Sequence, residues 1–161
     1  GSLRIYAQRI NSGKHPVSDA VQNLYDREIQ KGVNNIDFYN NFQEKSEKIK
    51  SDLISLLLRL KNEGKKVIAY GAAAKGNTMM NFAGIRSDLV MCVVDKSPSK
   101  IGKFMPGNRI PIVDESIITK EQPDFVLILP WNLKTEIEIQ LSYIREWEGQ
   151  FIVSVPSLET W

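Results

Sequence analysis

The chain has 161 residues, 42% of them hydrophobic, with 21 basic against 19 acidic side chains and a formal charge of +2. That length allows one domain with a substantial core plus some excess chain, and the near-neutral balance, without a long run of like charge, argues against a nucleic-acid arm. No apolar run approaches the roughly 20 residues of a membrane span, the N-terminus lacks the form of a signal peptide, and the single Cys92 excludes an internal disulfide and suits a reducing, cytoplasmic setting.

In chain order, "GSLRIYAQR" comes first, with Leu3, Ile5 and Ala7 alternating with Ser2, Arg4 and Tyr6 in the period of a half-buried strand. So isolated from other strand signals, it needs a sheet outside this sequence. Ser18 is a good N-cap and Gly32 a good terminator for a helix through "SDAVQNLYDREIQKG". A second helix is predicted from Asp37 to Glu63, where Phe38, Phe42, Ile49, Leu53, Leu56, Leu57 and Leu60 form one apolar stripe. Residues 1–64 thus read as a strand and helical linker segment.

From residue 65 to 161 short apolar runs alternate with helical segments, the pattern of an α/β domain with helices on both faces of a parallel sheet. Strands are predicted at Val67 to Tyr70, Val90 to Val94, Ile110 to Val113, Phe125 to Leu129 and Phe151 to Val155. Helices fall near Lys75 to Ala83, Glu115 to Thr119 and Leu133 to Glu148, with Asp114 and Asn132 at N-cap positions and Gly149 at an end. The expected fold is a five-stranded, mainly parallel Rossmann-like sheet. Such sheets hold ligands beyond the carboxyl ends of their strands, where strand order reverses, so the candidate loops are Gly71 to Thr78, Asp95 to Arg109 and Pro130 to Leu133.

The first of these loops, "YGAAAKGNT", resembles the dinucleotide turn G-x-G-x-x-G in outline, but Ala73 stands at the middle glycine, whose role is close approach of a pyrophosphate. A helix N-terminus with Lys75, Asn77 and Thr78 suits an anion; a tight turn packing on small residues is the other reading. Asp95, 24 positions past Gly71, stands where a ribose-binding acid would be, or is a polar strand cap. Lys96, Lys100, Lys103 and Arg109 make the next loop basic, for phosphate, an acidic partner face or plain solvation. Trp131 and Asn132 follow a buried strand, as an aromatic plane beside an amide for a base or sugar, or as a lid on the core. No catalytic constellation emerges: His15 is far from the sheet in sequence, no Cys/His cluster suits a metal, and no serine occupies a nucleophile turn.

Taken together, "YGAAAKGNTMMN", "VVDKSPSKIGKFMPGNRIPIVD" and "VLILPWNL" resemble, in the same order, the C-terminal domain of the sugar C-methyltransferase family. The resemblance covers roughly Val67 to Val155, and "GSLRIY" resembles the last strand of that family's middle domain. It implies a fragment of an enzyme that methylates a carbon of a nucleotide-linked keto-deoxysugar, through an enolate that attacks the methyl group of S-adenosylmethionine. A zinc-binding domain and an S-adenosylmethionine-binding domain would precede this chain, and the base would belong to them. No residue here is therefore assigned as catalytic or as a metal ligand, and no cofactor is expected in this chain. What the resemblance carries over is substrate binding: Gly71, Lys75, Gly76, Asn77, Asp95, Lys96, Trp131 and Asn132. An NAD-dependent oxidoreductase domain, supported by Gly71, Gly76 and Asp95, and a non-catalytic interaction domain, supported by the amphipathic helix, stay open as alternatives.

Overall fold

A computed structural model describes residues 3–161, which divide into two units, one ending at Lys45 and one running from Ser46 to Trp161. In the first unit, helix α1 (Asp19–Gln30) starts after Ser18, whose backbone is extended although its side chain makes no cap bond. Gly32, at φ +75°, ends it, a conformation that costs glycine little. No residue of α1 is buried, and Val21, Tyr25 and Ile29 form an exposed apolar line along it. The strand expected from the opening alternation does not form over residues 3–7; Ser2 lies outside the described residues. Alternation makes a strand only where a second strand offers ladder partners, and none of this chain's strands pairs there.

The helix expected without interruption from Asp37 is broken. Residues Ile36–Tyr39 form a 3₁₀ turn, in which the Asn35 side chain accepts from the Asp37 amide at 3.0 Å, and Asn41 adopts φ +63°. Asparagine tolerates that left-handed region and competes for local backbone bonds, so the helix α2 begins only at Phe42 and runs to Asn62. The stripe is accordingly shorter than predicted: Leu53, Leu56, Leu57 and Leu60 are buried, whereas Phe38 and Phe42 stay exposed.

The second unit is a six-stranded sheet in the order β3-β2-β1-β4-β5-β6. Strands β1 (Val67–Tyr70), β2 (Val93–Val94), β3 (Ile112–Val113), β4 (Phe125–Ile128) and β5 (Gln150–Val153) are parallel. The sixth, β6 (Glu159–Thr160), pairs antiparallel with β5 and corrects the expected count of five. Two exposed polar residues carry no strand signal; β6 exists because Glu159 lies opposite Val153 and Thr160 opposite Ile152.

Crossover helices α3 (Ala74–Phe82), α4 (Ser116–Glu121) and α5 (Lys134–Gln140) cover the sheet. The last predicted helix is broken at Leu141, beyond which Ser142–Trp147 winds as a 3₁₀ turn ending at Glu148 and Gly149. Strand side chains alternate between faces. Val67, Ala69 and Leu127 meet Leu53, Leu57 and Met80 of α2 and α3, while Ile68, Val126 and Phe151 meet Ile118, Ile137 and Ile144 on the other side. Cys92 belongs to the second cluster, and burial pushes its thiol up to about 11, which suits packing rather than reactivity. Among the described residues no helix is long and apolar enough to cross a membrane.

Since Leu53 is fully buried, Leu53→Ala is expected to cost about 2–5 kcal/mol in urea unfolding. Leu58 on the same helix is 46% exposed, and Leu58→Ala should cost under about 1 kcal/mol; equal losses at both positions would contradict this orientation of α2.

Candidate functional site

Strand order reverses between β1 and β4, and the loops after these two strands meet. Gly71 turns the chain at φ +87°, and a Cβ there would stand 2.7 Å from Cδ of Pro130. Gly76, one turn into α3, lies so close to β4 that a Cβ would come within 2.5 Å of the Leu129 Cβ. Both glycines are thus required by close packing on the end of β4. The turn positions α3 with Ala73 as N-cap, a residue without a capping side chain, and its first intrahelical bond runs from the Asn77 amide to the Ala73 carbonyl at 2.9 Å.

Lys75 reaches across this junction. Its ammonium donates to Oδ1 of Asn132 and sits 4.6 Å from the centre of the Trp131 ring. Three of the residues expected from sequence therefore touch one another. Asn132 does so from within the 3₁₀ turn Trp131–Leu133 and not as the helix N-cap predicted for it. Asp114, the other predicted cap, accepts from the Ser116 amide at 2.9 Å.

Asp95 is placed at the end of β2 as expected, but its oxygens are engaged by the protein. One accepts from the Ala72 amide at 2.8 Å and from the Lys100 ammonium at 3.1 Å, the other from the Ser97 amide at 2.8 Å. Burial works to raise this carboxyl, but the Ser97 amide, Lys100 and the Ala72 amide outweigh it and hold it below the usual carboxylate range. A ribose-binding acid needs oxygens free for two hydroxyls. Asp95 instead ties the β1–α3 turn to the end of β2.

Lys96 goes elsewhere. It pairs with Glu115 at 3.5 Å, and Glu115 accepts from the Tyr70 hydroxyl at 2.9 Å and from Gln140 at 3.0 Å. Burial, foremost, pushes the Tyr70 phenol well above its ordinary value. This group lies with the cluster packed under α4 and α5, apart from the junction of Lys75 with Trp131.

Beside the glycine turn opens a cleft of about 670 Å³, lined by Ala72 to Ala74, Asn77 and Thr78 on one side and by Ser99, Lys100 and Lys103 to Pro106 on the other; Lys75, Trp131 and Asn132 are not in its lining. Its volume falls within the range of about 300–1,000 Å³ usual for small-molecule sites. Asn77 lines it, as do Lys100, Lys103 and Phe104. Phe104 was missed by the sequence reading, which weighed only the basic residues of that loop; its signal was an aromatic side chain among lysines, glycines and prolines. A second hollow, of about 530 Å³, lies at β6, where Lys134 pairs with Glu159 and stacks on Trp161, whose indole donates to Glu138 at 2.6 Å. Its polar groups satisfy one another, and it contains none of the expected residues. Among the described residues no group of three or more His, Cys, Asp or Glu side chains could hold a metal ion.

Comparison with known proteins gives two findings. The family model for the C-methyltransferase C-terminal domain matches residues 1–156. The C-methyltransferase NovU of Streptomyces niveus is 30% identical over 156 residues, which is 97% of this chain. The chain spans 37% of the length of that relative.

The Asp95 carboxylate makes a test available. Because its folded pKa lies below the unfolded value, its contribution to stability is full above about pH 4 and is lost as pH falls through the folded value. Asp95→Asn is expected to lower stability at pH 7 and to flatten the acid limb of the stability profile below about pH 4. An unchanged acid limb in a folded variant would contradict the role assigned to Asp95.

Proposed function

The chain belongs to the family of C-methyltransferase C-terminal domains, and from that membership we propose that it is the nucleotide-sugar-binding part of an S-adenosylmethionine-dependent sugar C-methyltransferase. In this reading the methyl group goes to a carbon of a dTDP-linked keto-deoxysugar. The observation that carries the proposal is the contact of Lys75 with Trp131 and Asn132 at the reversal of strand order, next to a cleft of ligand size. Lys75 brings a positive charge, the first turn of α3 brings oriented amides, and Trp131 brings a flat apolar surface suited to a sugar ring. Together they can hold the diphosphate and orient the sugar.

S-adenosylmethionine supplies the electrophilic methyl group in such a reaction. The residues of this chain do not fit an adenosine cofactor held in the dinucleotide manner, because the oxygens of Asp95, where the ribose hydroxyls would bind, are already engaged by the Ala72 and Ser97 amides and by Lys100. We therefore assign the methyl donor and the base that deprotonates the sugar beside its ketone to other domains of a longer cytoplasmic polypeptide. The exposed line of Val21, Tyr25 and Ile29 is the surface we assign to contact with those domains. The same engaged Asp95 speaks against the NAD-dependent alternative.

Two outcomes are expected. The 161-residue chain by itself transfers no methyl group from S-adenosylmethionine to a dTDP-keto-deoxysugar; detectable transfer would overturn the assignment of the donor site. In the full-length enzyme, Lys75→Ala weakens dTDP-sugar binding by about 1.5–3 kcal/mol, the value of a charge-assisted hydrogen bond, and by less as salt rises. Unchanged affinity in a folded Lys75→Ala enzyme, read by calorimetry, would make the turn purely structural, and micromolar NADH binding would revive the oxidoreductase reading.

A further inference from the structure

The cleft beside α3 has a wall that none of the resemblance motifs assigned to ligand. Phe104 lines it and is 63% exposed, which leaves ring surface available to a ligand in the cleft. The ring does not stand on a loose loop. Phe104 forms an antiparallel bridge with Pro111, the Ile112 amide donates to the Lys103 carbonyl at 2.8 Å, and the Met105 amide donates to the Ile110 carbonyl at 2.8 Å. The tip is also clamped to α3 and the turn after it. Asn81 donates to the Pro106 carbonyl at 2.9 Å, Arg86 donates to the Gly107 carbonyl at 2.9 Å, and Gly107 approaches Asn81 so closely that a Cβ would lie 2.3 Å from its Oδ1.

The two lysines of this wall differ. Lys100 is held by the Ala72 carbonyl at 3.0 Å and by Asp95. The Lys103 ammonium, exposed at the mouth of the cleft, has no hydrogen-bond or ion-pair partner recorded among the described residues. An exposed ring on a braced hairpin, with an uncommitted cation beside it and a helix N-terminus opposite, has the components that hold a nucleoside diphosphate: a stacking surface for the base and a charge for a phosphate oxygen.

We propose that the segment from Ser99 to Pro106 seats the nucleoside diphosphate half of the ligand, with Phe104 stacking on the base and Lys103 pairing with the diphosphate. The sugar then extends toward Trp131 and Asn132, which Lys75 of α3 contacts. This rests on the nucleotide-sugar reading above and adds to it a direction for the ligand and two binding residues.

Calorimetry with dTDP and with inorganic pyrophosphate tests it on this chain. Phe104→Ala is expected to weaken dTDP binding about ten-fold or more and to leave pyrophosphate binding unchanged, while Phe104→Tyr keeps the wild-type dTDP affinity. Lys103→Ala is expected to weaken both probes about ten-fold at low salt, with recovery in Lys103→Arg. Both positions are exposed, so unchanged circular dichroism is expected in every variant. Wild-type dTDP affinity in Phe104→Ala and Lys103→Ala, together with a loss in Lys75→Ala, would overturn this seat and leave the nucleotide-sugar reading standing. Failure of the wild-type chain to bind dTDP at millimolar concentration would overturn both.

Discussion

The closeness of α3 to the end of β4 is the constraint on which the candidate site depends. Side chains at positions 71 and 76 would collide with Pro130 and Leu129, so glycine at both lets a helix and a strand end approach as two backbones. Because β1 and β4 are neighbours across the reversal of strand order, that approach brings the turn carrying Trp131 against Lys75 in the first turn of α3. The outline of a dinucleotide turn therefore arises here from packing, and ligand chemistry is laid over it by the residues between and beyond the glycines.

Asp95 extends the same logic sideways. By accepting the Ala72 amide it anchors the glycine turn to β2, and by accepting from Lys100 it draws the basic loop toward that turn. A carboxylate in a position that dinucleotide folds give to ribose recognition has become a brace. Of the basic side chains in that loop, Lys100 is committed to this brace and Lys96 to Glu115 on the far face, so a count of positive charge along the sequence overstates what faces the cleft.

The parallel core was legible in the residues because each of its strands is an apolar run bounded by turn formers, and the glycine turn and the PWN loop announced themselves by residue types that do not suit their positions. The missing information was of two kinds. Breaks within helical patterns, at Asn41 and at Leu141, come from single backbone conformations that apolar periodicity does not register. Contacts made across long separations leave no local trace either: the pairing of Glu159 with Val153, the commitment of Asp95 to Ala72, and the presentation of Phe104 by its bridge to Pro111. The alternation at the start of the chain misled for the same reason, since a strand is a property of two segments and not of one.

The margins of the sheet have a consequence for self-association. Its outermost strands, β3 and β6, are two residues long each. On the β3 side the Ile112 amide and carbonyl are already bonded to the Lys103 carbonyl and the Gly102 amide, and Pro111 just before it offers no N–H. On the β6 side Glu159 carries a charge paired with Lys134. Such margins offer almost no row of unpaired peptide groups on which a foreign strand could grow, so a sheet that is strongly apolar within is shielded from edge-to-edge polymerisation, the hazard that open parallel sheets otherwise carry.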